Sequence, residues 1–210
     1  MDSKNTKELN IKLTIIGDSD VGKTTLIYTY TENNFNEEIT PTVGLDNKVK
    51  KLNIHGLQAN IQIWDTAGQE KYDSLTKQLY NNTDGVILVF DLTNNNSFIH
   101  IKNWIKKIGS NCDHEIKKLL VGNKVDMKDK IKVQKKDIYE LCKENRLKYN
   151  DVSAKENINV EKAFETIINS IIGKKSVEEL IADYGIKEQH ISLSGSGLNT
   201  MTGQTKKKCC

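Results

Sequence analysis

The feature that most constrains the fold of this 210-residue chain is a glycine-rich segment near its amino terminus. The segment reads Gly17-Asp-Ser-Asp-Val-Gly-Lys-Thr24 and matches the pattern G-x-x-x-x-G-K-[ST]. An apolar strand-like run at residues 11–16 precedes it and a helical pattern at 24–30 follows, and this context makes the match specific. Backbone N–H groups of such a turn converge on phosphate oxygens at the amino end of a helix. The segment therefore predicts a phosphate-binding loop inside an α/β domain.

Strand-like and helical patterns alternate along the rest of the chain. The apolar runs at 85–91 and 118–122 are typical of strands covered on both faces, as in parallel sheets. Residues 49–55 and 59–64 predict two strands joined by a tight turn at His55-Gly56. Apolar residues recur at helical spacing over 98–108 and 160–171. The alternation predicts an α/β fold with a mostly parallel, doubly wound sheet, helices on both faces, and ligands at the carboxyl ends of the strands.

The composition excludes several classes of protein. The chain carries 31 Lys and Arg against 28 Asp and Glu, a net charge of +3, and this near-balance argues against nucleic acid as a partner. It has no run of about 18 apolar residues, so we expect no transmembrane helix. Four cysteines are too few for a secreted disulfide scaffold, which indicates a reducing, cytosolic setting.

The character of the chain changes after about Gly173. Val177, Leu180, Ile181 and Tyr184 could continue the last helix or form one more. From Gly185 the sequence is rich in Ser, Gly, Thr and Lys and has no apolar period, which indicates a flexible tail. We therefore predict one domain over residues 1–173 and a flexible tail over 174–210.

Residues of the phosphate loop are suited to specific parts of a nucleoside triphosphate. The Lys23 ammonium can bridge the β- and γ-phosphates, and the Thr24 hydroxyl suits Mg²⁺, which prefers oxygen ligands. The candidate phosphate-binding residues are Gly17, Ser19, Asp20, Val21, Gly22, Lys23, Thr24 and Thr25, together with Gly68.

A second segment, Trp64-Asp-Thr-Ala-Gly-Gln-Glu70, directly follows a predicted strand. Asp65 at the strand end is placed to hold the hydration shell of Mg²⁺. Gly68 lets its backbone approach a γ-phosphate closely. Gln69 has a neutral donor and acceptor that can orient a water molecule, so Gln69 and Lys23 are the candidate catalytic residues.

Two further segments indicate guanine as the base. In Asn123-Lys-Val-Asp126, the Asp126 carboxylate can accept from both the ring N–H and the exocyclic amine of guanine, a pair that adenine lacks. Asn123 can bond a base edge and tie the segment to the phosphate loop, and the Lys124 stem can cover one face of the base. Ser153-Ala154-Lys155 could donate a backbone N–H to the guanine oxygen.

These segments, in this order and spacing, resemble the Ras superfamily of small GTPases over about residues 8–172. The Rab family is the most similar, through Ile63-Trp-Asp-Thr-Ala-Gly-Gln-Glu70, Asp91-Leu-Thr93, Ser97-Phe98 with Trp104, and Cys209-Cys210. The resemblance implies a phosphate-loop GTPase that cycles between GTP and GDP, uses Mg²⁺, and recruits effectors in vesicle trafficking. Its intrinsic hydrolysis would be slow, because neither the loop nor the segments around Thr42 and Gln69 contain an arginine, and a partner would supply one.

The resemblance also assigns residues and partners. Phe35 would pack against guanine, and Thr42 would coordinate Mg²⁺ only when the γ-phosphate is present. The segments around Thr42 and Gln69 would then be the two switch regions, contacted by effectors, an exchange factor and a GTPase-activating protein.

The end of the chain, Lys206-Lys-Lys-Cys209-Cys210, matches the Rab prenylation ending. Two isoprenoids would satisfy the two-signal requirement for stable anchoring, and the lysines would add attraction to anionic lipid. We expect prenylation and escort proteins as partners, and a location on the cytoplasmic face of intracellular membranes with a cytosolic pool.

Two positions depart from the Rab pattern. Asn47 stands where Rab proteins usually carry an aromatic residue of an apolar surface triad, whose other members would be Trp64 and Tyr80; simple drift at an exposed position is the other interpretation. Asp20 stands where the family normally has glycine and adds a carboxylate to the phosphate loop. The alternative function is therefore a GTP-binding interaction protein with fast exchange and little hydrolysis.

Overall fold

The computed structural model describes residues 8–33, 46–65, 80, 82–112 and 116–185. Within these ranges the chain forms six β-strands, six α-helices and a short 3₁₀ helix at Lys128–Lys130. In chain order the elements are β1 Glu8–Ile16, α1 Lys23–Glu32, β2 Asp46–Ile54, β3 Leu57–Asp65, β4 Gly85–Asp91, α2 Asn95–Ile99, α3 Ile101–Asn111, β5 Lys117–Asn123, α4 Lys135–Asn145, β6 Lys148–Asp151, α5 Val160–Ile172 and α6 Val177–Tyr184.

The described strands form one sheet in the order β2-β3-β1-β4-β5-β6. Strands β3, β1, β4, β5 and β6 run parallel to one another, whereas the edge strand β2 runs antiparallel to β3. The β2–β3 turn is the predicted one: His55 and Gly56 have φ of 51° and 85°, as a two-residue hairpin turn requires. The prediction of a mostly parallel sheet is confirmed.

Both faces of the sheet are buried, because β4 sends alternate side chains into two separate cores. Ile87 and Val89 pack in a core with residues of α1, α5 and α6. Val86, Leu88 and Phe90 pack in a second core with residues of α3 and α4. Each fully buried aliphatic or aromatic side chain contributes about 1.5–3 kcal/mol. The structure thus confirms the doubly wound arrangement and explains why β4 is apolar along almost its whole length.

The helical pattern predicted over 98–108 is divided between α2 and α3, which meet at His100. The backbone N–H of His100 still donates to the carbonyl oxygen of Asn96 at 3.0 Å. The backbone of His100 is also in the right-handed helical region, with φ −68° and ψ −16°, so this single residue joins the two helices.

The folded chain continues beyond the predicted boundary at residue 173. Helix α6 begins with a capping box between Ser176 and Glu179, and Leu180 on it is fully buried in the core that contains α1 and α5. Gly185 then forms a bridge with Leu9 of β1. The helix suggested by the residue pattern is present, and it packs on the core through Leu180. None of the described helices is long and apolar enough to cross a membrane.

Candidate functional site

The predicted nucleotide-binding segments meet at the carboxyl ends of the parallel strands. The phosphate loop follows β1, Asp65 ends β3, Asn123 ends β5, and residues 153–155 follow β6. This is the edge at which open α/β sheets bind ligands. The topology brings together segments that are more than a hundred residues apart in the sequence.

Two glycines let the phosphate loop lie against its neighbours. A Cβ atom on Gly17 would lie 2.1 Å from the carbonyl oxygen of Val89, and one on Gly22 would lie 2.4 Å from Nδ2 of Asn123. Gly22 also has a φ of 90°, which side chains disfavour. Any larger residue at either position would push the loop away from β4 or from the Asn123 side chain.

Asp20 adopts the conformation that glycine would adopt more readily. Its φ is 62°, which is the left-handed region and costs a non-glycine residue free energy. The Asp20 residue is exposed, and its backbone carbonyl accepts a hydrogen bond from Nζ of Lys124 at 2.9 Å. The carboxylate therefore lies on the solvent side of the loop, while the Asp20 backbone is held by the Lys124 side chain.

Lys23 and Thr24 begin α1, and their side chains bond to the phosphate loop and to β3, respectively. Lys23 is 5% exposed, and its Nζ donates to the carbonyl oxygens of Gly17 at 2.8 Å and Asp18 at 2.6 Å. The Thr24 hydroxyl donates to Oδ2 of Asp65 at 2.5 Å. Two oxygen side chains predicted to serve Mg²⁺ are thus in direct contact, although they come from α1 and β3.

Asn123 is the central connection of the site. Its Nδ2 donates to the carbonyl oxygen of Val21 at 2.9 Å, and its Oδ1 accepts from the backbone N–H of Ala154 at 3.0 Å. The Asn123 residue is 2% exposed, and Thr29 of α1 adds a hydrogen bond to the Ala154 carbonyl at 2.8 Å. One amide side chain therefore joins the phosphate loop to both predicted guanine-binding segments.

Lys124 makes the charged connection beside it. Its Nζ lies 2.8 Å from Oδ2 of Asp91, at the end of β4, while Thr93 donates to Oδ1 through its N–H and hydroxyl. Burial opposes ionisation of Asp91, but the hydrogen bonds from Lys124 and Thr93 and the Lys124 charge outweigh it, so the Asp91 pKa lies below its ordinary value of 3.8.

The remaining guanine-side residues lie around the same edge. Ser153 is fully buried, and its hydroxyl accepts from the Glu156 N–H at 3.0 Å, which holds the turn after β6. Lys155 is exposed and Asp126 is half-buried. Among the described residues, the Asp126 carboxylate has no hydrogen-bond partner on the protein. Its position in the turn after β5 leaves it available to a base.

Several predicted residues lie outside the described ranges: Phe35, Thr42, Gly68, Gln69, Cys209 and Cys210. Asn47 is described, is exposed, and stands directly opposite Trp64 in the β2–β3 register. Tyr80, by contrast, is 1% exposed and packs in the core with Phe90. The assignment of Tyr80 to an apolar surface triad is therefore wrong, because the core encloses its side chain.

The sequence reasoning missed residues that shape the site without belonging to its motifs. Asp91 holds Lys124, Thr29 holds Ala154, and Asp18 receives bonds from His100 and Trp104. The i, i+4 spacing of His100 and Trp104 indicates that their side chains lie on the same face of a helix. Nothing in the sequence showed which loop that face would meet.

Comparisons with known proteins agree with this site. A family model described as Ras family matches residues 12–173, a range that contains every described residue of the site. Ras-related protein Rab-10 of Diplobatis ommata is 37% identical over 208 residues, 99% of each chain. Ras-related protein Rab-13 of Rattus norvegicus is 42% identical over 163 residues, 78% of this chain and 80% of the relative. Ras-related protein Rab-8A of Bos taurus is 40% identical over 163 residues, 78% and 79% of the two chains.

Proposed function

The chain belongs to the Ras family and is a Rab-like small GTPase that hydrolyses GTP and acts in vesicle trafficking, and from this membership we propose how its own residues perform the cycle. The observation that carries the proposal is the buried Asn123 side chain, bonded to Val21 at 2.9 Å and to Ala154 at 3.0 Å. Because this amide joins the phosphate loop to the base-binding segments, it supports a single site spanning a whole guanine nucleotide.

The base would be held by the segments after β5 and β6. The Asp126 carboxylate would accept from the two adjacent N–H groups of guanine, and the Lys124 stem and Phe35 would cover its faces. The 153–155 turn would donate to the guanine oxygen from a backbone that Thr29 and Asn123 already hold.

Magnesium fits the donor set at the start of α1. Ras and Rab GTPases generally use Mg²⁺ with the nucleotide, and the Thr24 hydroxyl and Asp65 carboxylate, 2.5 Å apart, are oxygen donors. Mg²⁺ keeps several waters and phosphate oxygens, so a site with few protein ligands suits it. The described residues contain no cluster of three or more His, Cys, Asp or Glu side chains for a metal. We propose Thr24, Asp65 and, in the GTP state, Thr42 as its holders; the bound ion would neutralise phosphate charge.

Hydrolysis would consist of an in-line attack of water on the γ-phosphorus. Gln69 would orient the water, and the bond from the γ-phosphorus to the oxygen of GDP would break. Lys23 and the Gly68 N–H would stabilise the charge on the phosphoryl oxygens. The sequence contains one arginine, Arg146, which follows α4 at the opposite end of the sheet. An activating protein would therefore supply an arginine in trans.

Substitution of Gln69 by leucine tests this assignment. Leucine cannot orient water, so we expect the stimulated hydrolysis rate to fall by about 10-fold or more, while GDP and GTP binding stay nearly unchanged. Single-turnover hydrolysis, with and without activating protein, measures the effect. An unchanged stimulated rate in a variant that binds GTP normally would remove Gln69 from the catalytic role.

The alternative of an exchange-governed binding protein with little hydrolysis is not favoured by the family and its Rab relatives. Effectors, exchange factor and activating protein would contact the segments around Thr42 and Gln69, the two predicted switch regions.

Membrane attachment is proposed to depend on Cys209 and Cys210, with Lys206–Lys208 adding attraction to anionic lipid. Prenylation and escort proteins would then be partners, and the protein would divide between intracellular membranes and cytosol. Deleting both cysteines should move the protein to the soluble fraction of lysed cells while GDP binding is retained. A deletion variant that stays wholly in the membrane fraction would assign the attachment to another part of the chain.

A further inference from the structure

Asp18, the second residue of the phosphate loop, is bonded through its side chain to the junction of α2 and α3. Nε1 of Trp104 donates to Oδ1 at 3.0 Å, and Nδ1 of His100 lies 2.6 Å from Oδ2. Since carboxylate oxygens accept, each oxygen of Asp18 has its own donor. This link connects the loop to a helix that carries none of the nucleotide-binding motifs.

The helix presents both donors rigidly. His100 immediately precedes α3 and Trp104 lies one turn later, so their side chains share a face. The backbone N–H of Trp104 donates to the His100 carbonyl at 3.1 Å. The Trp104 residue is 9% exposed, and its indole ring packs in the same core as Ile108. Because the indole cannot swing away from this core, its N–H stays directed at Asp18.

The link reaches the chemistry through the backbone of the same residue. The Asp18 carbonyl accepts from Nζ of Lys23 at 2.6 Å, so a shift of Asp18 would also move a contact of this lysine. Further along the loop, Lys124 holds the Asp20 carbonyl and Asn123 holds the Val21 carbonyl. The Asp18 link holds the first part of the loop, as those bonds hold its second part.

We propose that Trp104 and His100 are positioning residues, which hold the phosphate loop in its nucleotide-binding shape through the Asp18 carboxylate. The inference rests on the proposed role of the loop in binding phosphates. A loop held in its bound conformation loses less freedom when the nucleotide binds. Loss of the link therefore accelerates nucleotide release, although neither residue belongs to a binding motif.

The test is the GDP release rate, measured with a fluorescent GDP analogue on the full chain in excess Mg²⁺. Trp104→Phe keeps an aromatic ring in the core and removes the donor. We expect GDP release to be about 3- to 10-fold faster, because only part of the free energy of a hydrogen bond to a carboxylate affects the release rate. Asn111→Ala is the matched control, because it removes a 2.8 Å bond to the Lys107 carbonyl at the far end of the same helix. Its release rate should equal that of the unmodified protein.

A double-mutant cycle separates positioning from a general effect on α3. Asp18→Ala should accelerate release at least as much as Trp104→Phe does. The double variant should be no faster than Asp18→Ala alone, because both variants remove the same Trp104–Asp18 bond. Asp18→Asn removes the same charge as Asp18→Ala but retains an acceptor oxygen for Trp104, so it should accelerate release less than Asp18→Ala does. Multiplying effects in the double variant, or an unchanged rate in Trp104→Phe, would overturn the proposal.

His100→Ala covers the case in which Trp104→Phe does not fold, since the His100 side chain is 51% exposed. It should accelerate release about 2- to 3-fold, and an unchanged rate would then count against the proposal. Failure of the unmodified protein to bind GDP would instead overturn the proposed nucleotide site itself.

Discussion

The phosphate loop is held on two sides by contacts of different kinds. On the buried side, the neutral amide of Asn123, 2% exposed, bonds to Val21 and Ala154. On the solvent side, ionisable groups meet the loop: Lys124, paired with Asp91, bonds to Asp20, and His100 lies beside the Asp18 carboxylate. The first contact is shielded from water, whereas Lys124 and His100 are partly open to it, although the Asp91 partner of Lys124 is buried.

The difference teaches how the two sides respond to conditions. A buried neutral hydrogen bond is insensitive to salt and pH, but its loss leaves unpaired groups in the interior. Charged contacts near the surface depend on protonation and are screened by salt. We therefore expect the buried side to determine whether the site forms, and the solvent side to adjust how firmly the loop holds its ligand.

The largest effect is expected from Asn123→Ala. The change leaves the Val21 carbonyl and the Ala154 N–H without a partner in a buried region, which costs about 2–5 kcal/mol in total. Urea unfolding with saturating GDP, at low and high salt, should show this loss at both salt concentrations. Asn111→Ala is the control for loss of an asparagine side chain. A small or strongly salt-dependent loss in Asn123→Ala would contradict the distinction between the two sides.

An intermediate effect is expected from Asp91→Asn. An amide retains the oxygen that accepts from Thr93 but replaces the one facing Lys124, so about 1–2 kcal/mol of stability should be lost at neutral pH. Because the Asp91 pKa is lower in the folded protein than its ordinary value of 3.8, its contribution is complete above about pH 5 and is lost as the pH falls through the folded-state pKa.

Unfolding free energies of both proteins, measured with GDP from neutral pH down to about pH 2, check this prediction. The unmodified protein should lose stability more steeply on acidification, and the two curves should converge. Parallel curves would mean that the Asp91–Lys124 pair contributes no pH dependence.

The smallest effect is expected from Asp20→Gly. Glycine removes the cost of a φ of 62° and a negative charge near the phosphates, so GDP release should slow by about 5-fold at low salt and by less at high salt. Asp20→Asn removes the charge alone, since asparagine tolerates the left-handed region, and separates the two causes. Equal release rates for all three proteins would show that the exposed carboxylate has no influence on exchange.

Much of this protein could be predicted because its elements are local in sequence. The apolar run of β4 and the glycine-rich turn after β1 each specify their own conformation, and the motifs carry their chemistry in a few adjacent residues. The α2–α3 break at His100, the burial of Tyr80 and the docking of Leu180 could not be predicted in this way. Each depends on which surface lies opposite, and periodicity does not report the identity of that surface.

The sequence by itself determined the α/β class, the phosphate loop and the order of the nucleotide-binding segments, because strand and turn preferences act between neighbouring residues. The sequence also indicated that Asn123 could reach the phosphate loop, but only the tertiary structure identified Val21 as its partner there. It alone decided that Lys124 pairs with Asp91 and that Trp104 meets Asp18. These pairs bring together residues from different strands, loops and helices. Their contacts form only when parallel strands align their carboxyl ends and the helices pack on the two faces of the sheet, since no local preference can bring distant side chains within 3 Å of one another.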